Sequence, residues 1–149
     1  MHSVVTVESR FTIQGRVNVK IGELSKRTGC PIGTIRYYEK EGLLPETDRN
    51  QGNFRVYTEE HIERLTFILH CRALEMTLNE VKVLLKYRED TNLNCDEVNI
   101  LVDRHIHQIE VRVEMLSQLK QKLIALRKSC SGSRKTESCG VLKKLNRQP

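Results

Sequence analysis

Two cysteines enclose a short polar segment near the end of the chain, CSGSRKTESC at residues 130–139. Thiolates are soft ligands, so Cys130 and Cys139 are typical either of a metal site or of a redox pair that closes a disulfide. Residues 127–149 hold seven basic residues and one acidic residue, whereas residues 1–126 hold 18 of each. The net positive charge is therefore concentrated around these cysteines, and we expect Arg134, Lys135 and Lys128 to favour their thiolate forms.

A third cysteine, Cys95, stands at the head of a predicted helix that runs from about Asp96 to Lys128. Cys95 and Cys130 are 35 residues apart in the sequence. That spacing is about 50 Å along an intact helix, so one chain cannot bring both sulfurs to one ion. An antiparallel homodimer can, because the head of each helix then lies beside the tail of its partner. We therefore expect Cys95 of one protomer to join Cys130 and Cys139 of the other, in two symmetric sites.

The long helix carries the apolar pattern of a coiled coil. Residues repeating every seven positions form one column, with a second column three positions further on: Val102, Ile109, Leu116 and Leu123, then His105, Arg112, Leu119 and Leu126. Nothing else in the chain offers a helix of equal length, so the seam is expected to pack against a second copy. His105 is interpreted as a seam residue, with a second metal site that includes Asp103 as the alternative.

Three thiolates favour soft or borderline metal ions over calcium or magnesium. A structural zinc site more often has four protein ligands, and three leave an exchangeable position that suits sensing. The remaining cysteines, Cys30 and Cys71, are expected to be small buried residues.

The N-terminal half predicts two short helices followed by a hairpin. KIGELSKRTGCPIGTIRYYEKEGLL, residues 20–44, has helical apolar spacing on either side of Gly29-Cys30-Pro31, which is typical of a helix-turn-helix or of an ordinary αα-hairpin. PETDRNQGNFRVYT, residues 45–58, combines turn formers with a short extended run and predicts a β-hairpin or wing. Thr58 is a predicted N-cap, and Thr77 with Glu80 matches a capping box.

These segments define a mainly α chain with five parts. They are an N-terminal extension at 1–17, a winged helix-turn-helix at 18–76, a linker helix at 77–94, an antiparallel dimerisation helix at 95–129, and a metal-binding loop with the C-terminal tail at 130–149.

Taken together, these motifs resemble the MerR family of metal-responsive transcription regulators. IGELSKRTGCPIGTIRYYEKEGLLP is similar to its winged helix-turn-helix signature, and GNFRVYTEEHIERLTFILHCRALEMTLNEVKVLL to its wing and the helices that follow. CDEVNILVDRHI and CSGSRKTESCGVL resemble its lead- and cadmium-responsive branch. The likeness runs from about Lys20 to Leu145, so residues 1–17 precede the usual family start, as an extension or through a misassigned start codon.

The resemblance implies a homodimer bound to double-stranded promoter DNA, between promoter elements that are too far apart for RNA polymerase. Metal-free protein then represses, and metal-bound protein twists and bends the DNA so that the elements realign. It implies that Thr34, Arg36 and Tyr37 lie on the recognition helix, and that Arg55 and Tyr57 of the wing clamp the flanking DNA backbone.

The metal-thiolate pattern of that branch falls on Cys95, Cys130 and Cys139. Copper-type members of the family lack a cysteine at the place of Cys95, so the resemblance implies a divalent ion. The sequence around the cysteines is similar to the lead- and cadmium-responsive branch, which implies Pb(II) or Cd(II). Hg(II) remains an alternative because the mercury branch shares the three-cysteine spacing. Zn(II) is a weaker one, because Ser131 stands where the zinc branch usually has a further ligand.

Two other functions stay open at this point. A thiol redox sensor on the same scaffold would use Cys130 and Cys139, and a regulator of organic ligands would use the loop only structurally, although such proteins usually carry a larger C-terminal domain. An enzyme is not expected, since the sequence shows no nucleophile–base pair, phosphate loop or paired carboxylates. The apolar runs are too short for a membrane span and no secretory signal is recognised, so a cytoplasmic protein is expected.

Overall fold

The computed structural model describes residues 17–147, and over that range the chain is mainly helical. Six α-helices follow one another there: α1 (Ile21–Thr28), α2 (Ile32–Lys40), α3 (Glu59–Ala73), α4 (Leu78–Glu89), α5 (Asp96–Arg127) and α6 (Gly140–Leu145). The described residues divide into two compact units, one ending at Glu89 and the other starting at Asp90. The predicted N-terminal extension, apart from Val17, lies outside the described residues.

Helices α1 and α2 form the predicted helix-turn-helix. Gly29 ends α1 with a φ of 73°, a left-handed conformation that glycine adopts without steric cost. Pro31 directly precedes α2, and the Ser25 hydroxyl donates to the carbonyl of Cys30 at 2.6 Å across the turn. Leu24, Cys30 and Ile35 are almost completely buried, so the burial of apolar side chains also stabilises the turn.

The segment after α2 is a hairpin, as predicted, but its pairing is brief. An antiparallel bridge joins Arg49 to Arg55, supported by the Asn50 N–H donating to the Phe54 carbonyl at 2.9 Å. A second bridge joins Val19 to Tyr57, which ties the end of the hairpin to the segment before α1. We call residues 45–58 the wing.

Helices α3 and α4 complete the first unit, and both begin with a capping box. Thr58 caps α3 reciprocally with His61, whose Nδ1 accepts the Thr58 N–H at 3.1 Å. At α4, the Thr77 N–H donates to Glu80 at 2.8 Å and the Glu80 N–H donates to the Thr77 hydroxyl at 3.2 Å. The predicted caps at Thr58 and Thr77 are therefore confirmed. The core of this unit includes Leu65, Ile68 and Val81, all fully buried.

Helix α5 is continuous over 32 residues and presents an apolar stripe to solvent. Five exposed apolar residues recur along one face at helical spacings of three, four and seven: Ile106, Ile109, Val113, Leu116 and Leu123. This stripe confirms the predicted column through Ile109, Leu116 and Leu123. In the predicted second column, Leu119 is likewise an exposed apolar residue, whereas His105 is buried and its neighbour Ile106 is exposed. No helix within residues 17–147 combines the length and apolar content that crossing a bilayer requires.

Candidate functional site

The loop after α5 brings Cys130 and Cys139 close together. Gly140 makes this approach possible, because a Cβ at that position would collide with the carbonyl oxygen of Ser129. The Arg127 guanidinium also donates to the carbonyl of Cys130 at 2.8 Å, which fixes the start of the loop against the last turn of α5. The result is a pair of half-buried thiols held by the backbone around them.

The surroundings of Cys139 favour its thiolate. The pKa of the Cys139 thiol is lowered mainly by the backbone N–H of Leu142, and further by the N–H of Val141, the Cys130 thiol and the positive charge of Arg127. Desolvation acts in the opposite direction. The cation that matters here is Arg127, rather than the predicted Arg134, Lys135 or Lys128. A thiolate that forms readily is what a soft metal ion requires of its ligand.

Cys95 lies at the opposite end of α5, immediately before its first residue, and its side chain is exposed. The amide nitrogen of Asn99 stands 4.0 Å from its sulfur. Since α5 is unbroken over 32 residues, about 48 Å of helix separates Cys95 from the loop pair. Within one chain, no three His, Cys, Asp or Glu residues of the described range are grouped closely enough to hold a metal ion. One protomer therefore supplies two thiols at one end of α5 and one thiol at the other.

The histidines of α5 do not complete a site in the single chain. His105 is buried, with 9% of its surface exposed, whereas His107 is exposed and stands 3.7 Å from Glu110. Neither belongs to a three-ligand group within the part of the chain that the structure describes. The alternative of a second metal site at His105 gains no support from one protomer.

The first unit carries a broad groove between α2 and the wing. Basic residues from three segments line it, the residue before α1, helix α2 and the wing: Lys20, Arg36, Lys40, Arg49 and Arg55. Lys20 also lies over the ring of Phe54, 4.5 Å from its centroid, at the tip of the wing. A groove with clustered cations and an exposed aromatic ring is chemically suited to the sugar-phosphate backbone of DNA.

Of the residues predicted to contact DNA from the recognition helix, Arg36 lines this groove, whereas Thr34 and Tyr37 are not among its described lining residues. Arg36 and Tyr37 are exposed on α2, and Thr34 of the same helix is half-buried. Arg55 remains 44% exposed while its guanidinium pairs with Glu39 of α2. These four side chains are accessible enough for the predicted contacts with DNA.

Tyr57 requires a correction. Its side chain is completely buried and its hydroxyl donates to the carboxylate of Glu39, so the ring cannot clamp DNA in this arrangement. Burial, followed by the hydrogen bond to Glu39 and the charge of that carboxylate, raises the pKa of Tyr57 to about 12. Tyr57 therefore stays protonated and holds Glu39 from inside the unit.

Sequence reasoning missed two residues of these sites. Glu39 joins α2 to the wing, but its partners are 16 and 18 positions away, so no local spacing indicates the contact. Gly140 had a signal, because a glycine directly after Cys139 is the residue that permits close approach of two backbones.

Comparison with known proteins identifies the family. Residues 19–88 match the family described as MerR HTH family regulatory protein, and residues 62–126 match that described as MerR, DNA binding. An HTH-type transcriptional regulator ZntR homolog of Haemophilus influenzae is 46% identical over 73% of this chain and 81% of its own length. A mercuric resistance operon regulatory protein of Bacillus cereus is 31% identical over 85% of this chain and 96% of its own.

Among solved structures, the transcription regulator PbrR691 from Ralstonia metallidurans CH34, in complex with Lead(II), is 48% identical to this chain. The two superpose with a TM-score of 0.78 over 85% of this chain and 98% of that one. These relatives are transcription regulators. They confirm the prediction of a regulator rather than an enzyme. The chain belongs to the MerR family of transcription regulators.

Proposed function

We propose that the protein is a heavy-metal-responsive transcription regulator that binds promoter DNA as a homodimer and activates metal-resistance genes. The observation that carries this proposal is the placement of the three thiols. Cys130 and Cys139 meet in one loop, while Cys95 stands at the far end of an unbroken helix. Two antiparallel copies of α5 would bring Cys95 of one protomer beside the loop pair of the other.

The apolar stripe of α5 supports the homodimer. Five exposed apolar side chains follow one face of the helix, and burying such a face is the main favourable term in association. The stripe spans the middle of α5, so an antiparallel partner would cover it and leave the two ends of each helix beside the opposite ends of the other.

Pb(II) or Cd(II) is the inducer that the donor set fits best. Three thiolates form a soft site, and the loop pair already contains one thiol with a lowered pKa. The 48% identical regulator was solved in complex with Lead(II). A metal ion held by Cys95, Cys130 and Cys139 would supply a bond between the two protomers that the metal-free dimer lacks. Hg(II) and Zn(II) are the alternatives, and the 31% identical relative is a mercuric resistance operon regulator.

The dimer would act on DNA by deformation. The groove between α2 and the wing would hold the backbone through Arg36 and Arg55. Tyr37 and Thr34 lie on the same helix α2 and would make the remaining contacts. Bending or untwisting a binding site costs about 1–6 kcal/mol, which a metal-thiolate site can offset if it forms only in one dimer geometry. RNA polymerase would then use the realigned promoter, and the protein would act in the cytoplasm, where its thiols stay reduced.

A competition titration tests the inducer. Pb(II), Cd(II), Hg(II) and Zn(II) are each added to the metal-free dimer, with transcription from the promoter as the measurement. We expect Pb(II) or Cd(II) to activate at the lowest free concentration. Activation by none of the four ions would contradict the metal-responsive function.

A thiol redox sensor is the second candidate, because the Cys130 thiol already interacts with that of Cys139. Mass spectrometry and metal analysis of protein purified without oxygen separate the two functions. Stoichiometric metal, with free thiols after its removal, supports metal sensing. A disulfide between these cysteines that changes transcription without metal supports redox sensing.

A further inference from the structure

Glu39 of α2 contacts two residues of the wing at once. One carboxylate oxygen accepts the hydroxyl of Tyr57, and the other pairs with the Arg55 guanidinium. The Glu39 side chain is only 14% exposed and Tyr57 is completely buried, so water competes little for these bonds. Charge-assisted hydrogen bonds that are shielded in this way are strong and directional.

The bond to Tyr57 determines where the carboxylate stands. Tyr57 is anchored through its backbone, because its N–H donates to the Val19 carbonyl at 2.8 Å and the Val19 N–H donates back at 2.9 Å. A fixed phenol therefore holds a fixed carboxylate. That carboxylate pairs with Arg55 and leaves 44% of the Arg55 side chain exposed.

An arginine has five N–H donors, and a pair with one carboxylate oxygen leaves others for a second acceptor. The same groove contains Arg36 of α2, so two cations on different segments face one surface. Their separation depends on how α2 and the wing are joined, and Glu39 is the side chain that joins them.

We propose that Glu39 is a positioning residue for DNA binding, which holds Arg55 at the spacing from α2 that adjacent phosphates require. This inference rests on the proposed contact of Arg55 with the DNA backbone. It makes an unusual prediction, since an acid in a basic groove should by charge alone weaken the binding of a polyanion. Removal of Glu39 is expected to weaken DNA binding, against the simple electrostatic trend.

The test compares Glu39→Gln with Glu41→Gln, two substitutions that change the net charge equally. Glu41 caps the same helix and is not among the described residues that line the groove. The probe is the duplex that the wild-type dimer selects from a random-sequence pool. Affinity is measured over a range of salt concentrations, together with thermal unfolding of each variant.

We expect Glu41→Gln to bind at least as tightly as the wild type and Glu39→Gln to bind about fivefold more weakly at about 0.15 M salt. The salt dependence of log K should also fall by about 0.9 for Glu39→Gln, the value for one lost phosphate contact. Arg55→Gln should show the same reduced slope, and the double variant should lose nothing further. A simple loss of stability would lower the active fraction without changing the slope.

The outcomes separate the two proposals. If Arg55→Gln weakens binding but Glu39→Gln binds as tightly as Glu41→Gln, the positioning role is wrong and the DNA contact stands. If the wild type selects no duplex, or Arg55→Gln changes neither affinity nor slope, the DNA contact itself is wrong. Should Glu39→Gln fail to fold, Glu39→Asp carries the same test, because it keeps the charge and shortens the reach to Arg55.

Discussion

At the first turn of α3, a neutral histidine holds the backbone where the wing ends. The Nδ1 atom of His61 accepts the Thr58 N–H, which requires an unprotonated nitrogen at that position. Burial lowers the pKa of His61 from its ordinary value of 6.5, with the nearby charge of Glu60 acting in the opposite direction. Like Tyr57 and Glu39, this residue shows that single polar side chains determine how the wing joins the helices.

The lowered pKa of His61 predicts acid destabilisation of the first unit. The unfolded chain binds a proton near pH 6.5 and the folded chain does so only at lower pH, so the free energy of unfolding falls as pH drops through about 6.5. Urea unfolding of the intact protein between about pH 8 and about pH 5 measures this change. His61→Gln should flatten the profile below pH 6.5, and an unchanged profile in that variant would assign the effect to other groups.

At the scale of elements, the end of α5 and the start of α6 create the loop site together. The two thiols are brought together because the backbone at Gly140 passes close to the backbone at Ser129. The stability of the site therefore depends on a residue that carries no ligand atom. The apolar stripe on α5 also belongs to this scale, because it arises only when several residues line up along one face of the helix.

Gly140→Ala is expected to open the loop. The added Cβ cannot share space with the Ser129 carbonyl, so Cys139 must move away from Cys130 and metal affinity should fall by about tenfold. Equilibrium dialysis with Pb(II) measures the change. Gly33→Ala is the matched control, because a Cβ there meets nothing within 4 Å. Equal metal affinity in all three proteins would show that the loop does not need this approach.

The stripe on α5 predicts different effects for two neighbouring residues. Leu116 lies in the stripe and Met115 lies outside it. The two residues are almost equally exposed, at 62% and 64%, so they make a matched pair. Leu116→Asp should weaken dimerisation by about a hundredfold, because each protomer would bury an unpaired carboxylate, while Met115→Asp should leave the dimer intact. Sedimentation of the metal-free protein measures both. Dissociation of both variants, or of neither, would place the interface elsewhere.

At the scale of the whole molecule, the proposed three-cysteine site would require a second copy of the chain. Each protomer has a loop pair at one end of α5 and a single thiol at the other, so a complete trio needs residues of two chains if the helix stays intact. In the proposed dimer, metal binding and subunit association would be linked, since the metal would stabilise only the assembled form.

Mixed dimers test the shared site directly. A Cys95→Ser chain keeps its loop pair, and a Cys130→Ser/Cys139→Ser chain keeps its Cys95. Neither homodimer should bind Pb(II) tightly, but random exchange makes about half of the dimers mixed, each with one intact site. The mixture should recover about one quarter of the wild-type metal content. Tight binding by either homodimer alone, or none by the mixture, would mean that ligands are not shared between chains.

Several features of this protein could be determined from its sequence because they depend on residues close together along the chain. The Gly29 turn, the caps at Thr58 and Thr77, and the length of α5 follow from local spacing and backbone preference. Such signals also identified the cysteines and the distance that an intact helix imposes between Cys95 and Cys130.

Only the tertiary structure decided the rest, because it depends on contacts between distant residues or between backbones. It buried Tyr57 against Glu39 and left Arg55 exposed, although these two residues are separated by a single position in an extended segment. It also showed that the close approach of Cys130 and Cys139 depends on Gly140, whose backbone passes close to Ser129. Residue types alone specify which groups can bind a metal or a phosphate, whereas the packing of α2, the wing and the loop decides which of them can reach it.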